Sequence, residues 1–205
     1  MEQRTDEWFE ARLGKVTASK VADVVAKTRS GWGASRDNYM SDLVCERLTG
    51  EVTKFFSSFA MQQGTEREPE ARAAYEYFCD EDVTEVGFVV HPNNPDAGAS
   101  PDGLVGTDGL VEIKCPEKAQ HLRTLLGEAP KDVYIKQMQW QMACTDRKWC
   151  DFASYNPDFP EEMKLHITRI KRDDALITEL ETNIVEFIRE VEKKTADLRK
   201  KYMEN

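Results

Sequence analysis

The chain of 205 residues carries 38 acidic and 28 basic side chains, a formal charge of −10, with 40% hydrophobic and 32% charged residues. That balance is ordinary for a globular protein and excludes a disordered or fibrous chain, while no run approaches the roughly 18 consecutive apolar residues of a membrane span. The first seven residues show no apolar signal-peptide core, and Cys45, Cys79, Cys115, Cys144 and Cys150 form an odd set with no C-x-x-C pair, so reduced thiols in a cytoplasm are expected, without a disulfide frame or zinc site.

In chain order, Asp6 is placed to cap a short helix running to Leu13 and ended by Gly14. Thr17-Ala18-Ser19 reads as the entry to a second helix carrying Val21, Val24 and Val25, residues 30–33 as a loop, and residues 36–49 as a helix stopped at Gly50. Residues 68–79 are helical again, with Pro69 tolerable only in a first turn. Val83–Val90 is a β-branched run, residues 91–95 a turn, Ala97–Leu104 a second strand, residues 107–109 a tight turn and Leu110–Cys115 a third strand. Helices at about 117–126 and 132–144 and strands near 148–155 and 164–171 follow. The last helix, about 173–203, places Leu176, Ile177, Leu180, Ile184, Phe187, Ile188 and Val191 on one stripe, a core-packing face, and beyond Val191 it turns polar and should fray. No internal repeat or Pro/Gly-rich linker interrupts this order, so residues 1–205 are expected to form a single α/β domain around a mixed sheet.

The charge is unevenly spread. Residues 1–60 hold nine basic and nine acidic side chains, so the whole −10 lies after residue 60. Between residues 11 and 36, Arg12, Lys15, Lys20, Lys27, Arg29 and Arg36 face the single acid Asp23. Such a strip on an acidic molecule is either a solvated helix face or a groove that focuses a polyanion.

The segment with chemistry is Ser100-Pro101-Asp102-Gly103, followed by Glu112-Ile113-Lys114-Cys115-Pro116. On a strand Glu112 and Lys114 share one face and Ile113 takes the other. A turn near Gly109 folds the preceding strand back and can bring Asp102 alongside Glu112. Two carboxylates and an ammonium then converge, a donor set suited to a hard divalent cation and to phosphoryl chemistry. Lys114 would orient an attacking water; if partly desolvated it would titrate lower and assist deprotonation. Glu-x-Lys alone is also what an exposed strand face looks like, but the rest of this strand is apolar, and charges on a buried strand need a partner or an ion.

These residues resemble the YqaJ-like viral recombinase family, the lambda-exonuclease type within the PD-(D/E)XK nuclease superfamily. Trp8 with Arg12-Leu13-Gly14 and Thr17-Ala18-Ser19 is similar to its opening motif, and Ala26-Lys27 with Arg29-Ser30-Gly31 to its basic loop. Gly64 through Glu68 with Ala71-Arg72 is similar to its first catalytic helix, and Tyr134, Gln137, Gln139 and Met142 to the helix after the active site. The departures are a shortened loop at 31–36 and Pro69 interrupting the Glu68 helix.

The resemblance implies a PD-(D/E)XK (restriction-endonuclease-like) core and a 5′→3′ exonuclease of double-stranded DNA ends, releasing mononucleotides and leaving 3′ single-stranded tails. It implies two Mg²⁺ ions, for which Mn²⁺ substitutes, held by Asp102, Glu112, the Ile113 carbonyl and Glu68. Gln137 would orient Lys114 or the DNA backbone. Arg12, Ser19, Arg29 and Ser100 would bind a 5′-phosphate, with Tyr134 beside the DNA and Met61 as an apolar wedge between strands. A homotrimeric ring, a single-strand annealing recombinase as partner and a phage or prophage origin are further implications. On helical spacing alone Tyr134, Gln137 and Gln141 lie near one face, where the glutamines are equally readable as surface polarity.

Two other readings stand beside it. A restriction- or repair-type endonuclease with the same metal centre would cut closed circular duplex; a DNA-end-binding module without turnover would hold ends and release no nucleotide. His91, His121 and His166 show no ligand or triad spacing and read as structural or surface residues. Cys115 should point away from Lys114 into the core. There is no P-loop, and no cysteine spacing for an iron–sulfur cluster.

Overall fold

The computed structural model describes residues 2–29, 31–52 and 59–203, with the side chains of residues 59–61 outside the description. The elements run α1 (Asp6–Arg12), β1 (Val16–Thr17), a 3₁₀ turn (Ala18–Lys20), α2 (Val21–Val24), β2 (Lys27–Thr28), β3 (Gly31–Trp32), α3 (Ala34–Thr49) and α4 (Phe59–Cys79). Then come β4 (Val83–Thr84), β5 (Val89–His91), β6 (Asn94–Ala99), β7 (Gly103–Val105), β8 (Gly109–Lys114), α5 (Lys118–Leu125) and α6 (Asp132–Thr145). The chain closes with β9 (Trp149–Tyr155), a 3₁₀ turn (Glu161–Met163), β10 (Leu165–Lys171) and α7 (Asp174–Met203).

The main sheet has the order β10-β9-β8-β7-β4, antiparallel throughout except for the parallel pair β8–β9. A second sheet, β1-β6-β5, combines a parallel and an antiparallel pair, and β2–β3 is a small hairpin. The mixed α/β architecture read from the sequence is therefore present. β8 lies in the middle of the main sheet, and alternation along it feeds two separate cores. Val111 and Ile113 pack with Ala71 and Tyr75 of α4, and with Ala153 and Tyr155 of β9. Leu110 packs on the opposite face with Met138 and Met142 of α6, and with Cys150 and Phe152. With helices on both faces the strand must be apolar almost throughout, which is how it reads. A third core joins α2, α3, β6 and α7 to the outer side of α6 through Trp140, Ala143 and Cys144.

The stripe on α7 is core: Ile177, Leu180, Ile184, Phe187, Ile188 and Val191 are buried, each contributing roughly 1.5–3 kcal/mol of apolar transfer. The helix does not fray after Val191 as its polarity suggests. Thr195 is buried and Arg199 donates to the Arg47 carbonyl at 2.8 Å, so tertiary contacts carry the helix to Met203. Asp173 caps it, accepting from the N–H groups of Ala175 and Leu176.

Several boundaries differ from the sequence reading. α1 is capped by Thr5, whose hydroxyl accepts from Trp8 N–H, and not by Asp6. Val16–Thr17 form the short strand β1, and a 3₁₀ turn follows before the single helical turn α2. Gly31–Trp32, read as loop, pairs as β3 with β2, Lys27–Thr28. α3 begins at Ala34 and ends where Gly50 takes a left-handed φ of 71°. Pro69 lies inside α4, which starts at Phe59: one missing N–H does not end the helix, because its Ala71–Tyr75 face is buried against the sheet. The run 83–90 is two short strands, β4 and β5, in different sheets, and 97–104 is likewise divided between β6 and β7. Ser100-Pro101-Asp102 is the link between the sheets, where proline, without an N–H, cannot continue a ladder.

Candidate active site

The ladder between β7 and β8 stops at the pair Gly103–Val111. The chain before Gly103 has left the sheet there, and the Ile113 N–H is met by the Asp102 side chain, Oδ2 accepting at 2.7 Å. Pro101 is thus followed by a carboxylate that caps an open strand edge. One residue earlier on β8, Glu112 points to the α6 face and is fully buried. Gln137 Nε2 donates to its Oε1 at 2.7 Å and Gln141 Nε2 to its Oε2 at 2.6 Å, while the Lys114 ammonium also donates to Oε1. Lys114 Nζ lies 5.3 Å from the centre of the Tyr134 ring, which stacks on Phe152. Asp102, Glu112, Lys114, Gln137 and Tyr134 are therefore gathered at one end of β8.

Burial pushes the Asp102 carboxyl up to about 8, with Glu112 and Glu68 adding repulsion against the pull of Lys114 and the Ile113 N–H. Burial also works against the Lys114 ammonium, but Glu112 and Asp102 outweigh it and hold the lysine above its ordinary range. The option of a lysine titrating low enough to take a proton is thus opposed by its surroundings. Its two carboxylate neighbours favour the ammonium form.

Glu68 sits on α4 between two arginines, Arg4 Nη2 at 2.6 Å from Oε2 and Arg72 Nη2 at 2.9 Å from Oε1. Arg72 also reaches Glu85 at 2.8 Å. Among the described residues no group of three His, Cys, Asp or Glu side chains lies close enough together to hold a metal ion on side chains alone. What is present is an all-oxygen set with free acceptor capacity: Asp102 Oδ1 has no hydrogen bond among the described residues, and Oε2 of Glu112 accepts one. Such oxygens, and a carboxyl driven toward its neutral form by burial and then by Glu112, fit a hard divalent cation.

A second cluster adjoins the first. The Arg12 guanidinium lies 3.8 Å over the Trp8 ring, and Trp8 Nε1 donates to Ser100 Oγ at 2.9 Å. Burial lowers the Arg12 pKa to about 10, leaving it a cation at neutral pH. Gln3 Nε2 donates to the Pro101 carbonyl at 2.8 Å, tying the N-terminal segment to the strand break. Ser19 and Arg29 are exposed, and among the described residues no hydrogen bond or ion pair joins either to Arg12 or Ser100. The side chain of Met61 lies outside the described residues.

The basic strip is smaller than its sequence count. Arg36 is buried, donating to the Val24 carbonyl at 3.1 Å and gripping Glu190 with both Nη atoms, and Lys20 pairs with Asp23. Sequence reasoning also gave no role to Gln141, Arg4 or the Trp8–Ser100 bond. Only Gln141 had a signal, its spacing of one helical turn from Gln137. Gln139 is a fold residue, bonding the Lys171 carbonyl and the Asp173 N–H. Cys115 packs at the α4 side, and burial pushes its thiol up to about 12, far from a nucleophile.

A carboxylate pair and a lysine at the end of a central strand, on this mixed fold, define a nuclease. More particularly, the chain belongs to the YqaJ-like viral recombinase family, whose domain matches residues 7–148. It is similar to the alkaline exonuclease LHK-Exo from Laribacter hongkongensis, 54% identical over 96% of this chain and 97% of that one, with a TM-score of 0.90. LHK-Exo in complex with dAMP matches at 55% identity over the same shares of both chains and the same TM-score. A phage-related exonuclease from Haemophilus somnus 129PT, 14% identical over 90% of this chain and 96% of that one, has a TM-score of 0.71 and shows the fold alone. No similarity to a curated protein is found.

Proposed function

We propose that this protein is a 5′→3′ exonuclease of double-stranded DNA ends, releasing mononucleotides and leaving 3′ single-stranded tails. The observation that carries the reading is the 54% identity, over nearly the whole of both chains, to an alkaline exonuclease. The structure of that relative with dAMP supports a mononucleotide product.

Asp102, Glu112, the Ile113 carbonyl and Glu68 would hold two Mg²⁺ ions, with Mn²⁺ able to substitute; the ions would neutralise charge on the phosphoryl oxygens and make water a nucleophile near neutral pH. Glu68 would join this set through the lone pairs its two arginines leave open. Lys114, kept cationic by Glu112 and Asp102, orients the attacking water and stabilises negative charge as it develops on the scissile phosphate. Gln137 holds Glu112 and, at the half-buried edge of the site, reaches the backbone of the strand being cut. Tyr134 offers its ring beside Lys114. Arg12 and Ser100, joined through Trp8, form the start of a 5′-phosphate pocket, which Ser19 and Arg29 complete on DNA binding. Each cut then creates the next 5′-phosphate to be anchored. We further propose a homotrimeric ring around the product strand, and a single-strand annealing recombinase as the partner that receives the tail in phage recombination.

The test is digestion of linear duplex labelled at the 5′ or the 3′ end, with Mg²⁺ and with closed circular duplex alongside. Early release of the 5′ label with the circle intact is expected. Cutting of the circle would instead make it an endonuclease, and retention of ends without cleavage a binding module.

A further inference from the structure

We infer that Gln141 is a positioning residue for the nuclease reaction: its buried amide holds Glu112 so that one lone pair of Oε2 stays directed at the divalent cation. The inference rests on the proposed role of Glu112 as a metal ligand.

Gln137 and Gln141 are one helical turn apart on α6, and each donates to a different oxygen of the same carboxylate. Their positions are otherwise unlike. Gln137 is half-buried at the mouth of the site, whereas Gln141 is fully buried, so DNA cannot touch it and it acts only through Glu112.

A carboxylate oxygen offers two lone-pair directions. On Oε1 both are engaged, by Gln137 and by Lys114. Among the described residues, Oε2 accepts from Gln141 alone. The remaining direction on Oε2 is the one open for a cation, and the Gln141 bond at 2.6 Å sets where it points.

The other end of the amide makes the role specific. Gln141 Oε1 is buried with no hydrogen-bond partner among the described residues. Turning the amide over would not relieve it, since Oε1 would then oppose a carboxylate oxygen, acceptor against acceptor. Methionine or leucine here would relieve the unpartnered Oε1 but leave Oε2 of the buried Glu112 without its donor, so the glutamine is tied to Glu112 and not to packing. The half-satisfied glutamine is explained by what its N–H does for Glu112.

Supporting groups behind metal ligands alter metal affinity or turnover by about 10–100-fold. The experiment compares wild type with Gln141→Met, which keeps length and volume but donates nothing, and with Glu112→Gln. Mn²⁺ affinity is measured calorimetrically on DNA-free protein, and kcat and KM on linear duplex. Expected for Gln141→Met is Mn²⁺ affinity or kcat lower by about 10-fold or more, KM for DNA unchanged and cooperative melting retained. Wild-type Mn²⁺ affinity and kcat in Gln141→Met, beside a Glu112→Gln protein that has lost Mn²⁺ binding, would overturn the inference and spare the role of Glu112. Wild-type Mn²⁺ binding by Glu112→Gln would instead overturn that role, and the inference with it. Should Gln141→Met fail to fold, Gln141→Asn keeps an amide in place but withdraws it by one methylene. It must show the same loss, and wild-type values would again overturn the inference.

Discussion

Glu112 has no exposed surface, yet it sits on a strand whose neighbours are otherwise apolar. An unpaired carboxylate there would cost several kcal/mol; two amides and an ammonium meet it instead. This explains why Glu-x-Lys on such a strand was legible as a site. Charge on a buried apolar strand needs local partners, and the period of two places one of them, Lys114, on the same face. The partners from α6 were only half legible, since helical spacing aligns Gln137 with Gln141 but does not say that α6 packs over β8. With Lys114 held cationic, Lys114→Ala should lower kcat by about 10²–10³-fold while DNA and Mn²⁺ binding persist. Single-turnover digestion beside binding titrations checks this, and digestion at the wild-type rate would remove Lys114 from the mechanism.

Among the elements, the link at Ser100-Pro101-Asp102 matters most. A continuous strand over 97–104 would pair Asp102 into a ladder. The chain instead changes sheets there, and the freed carboxylate caps the Ile113 N–H. Gly103, immediately after it, is required by packing: a Cβ at this position would fall 2.0 Å from Val83 Cγ1 and 3.3 Å from Val111 Cγ1. The proline-Asp-Gly signature therefore combines a ladder-breaking residue, a carboxylate that caps the open edge of β8 and a close approach of β4 to β7. Gly103→Ala should destabilise the protein by about 1–3 kcal/mol through overpacking. Adding Val83→Ala should recover much of that, because it removes the opposing methyl. Denaturant unfolding of the single and double variants tests the coupling, and purely additive losses would reject it. The same pairing logic explains α4, where Pro69 is accommodated because burial of the helix face outweighs one lost hydrogen bond.

At the scale of the molecule, α6 lies between two cores, giving Met138, Gln141 and Met142 to the sheet and Trp140, Ala143 and Cys144 to the α2–α3–α7 side. His91 of β5 closes the second side. Its ring stacks on Trp140 with centroids 4.7 Å apart, Nδ1 accepts from the Asn93 N–H, and Nε2 is 3.1 Å from Glu181 Oε1 on α7. Burial lowers its pKa from the ordinary 6.5, opposed by Glu181. Below that ordinary value the unfolded chain takes up a proton that the folded one resists, so stability is full above it and is lost as pH falls toward the folded pKa. The Tm should drop as pH falls below the ordinary 6.5, and His91→Phe, which keeps a ring against Trp140, should flatten that part of the profile. An unchanged slope in the variant would exclude His91 as its source.

By itself the sequence determined the α/β class, the positions of β8, α5, α6, β9 and β10 to within a residue or so, the α7 core stripe, and the convergence of Asp102, Glu112 and Lys114 at one end of β8. All of these follow from local periods, turn residues and the cost of burying charge, which a linear chain displays. Tertiary structure decided the rest: the division of 83–90 and 97–104 between two sheets, the persistence of α7 beyond Val191, the burial of Arg36 out of the basic strip, and the clamp of Arg4 and Arg72 on Glu68. It also decided that two glutamines of α6 meet Glu112. Each depends on which surfaces distant in sequence come together, and packing between elements overrides local preference wherever the buried area gained exceeds the propensity lost.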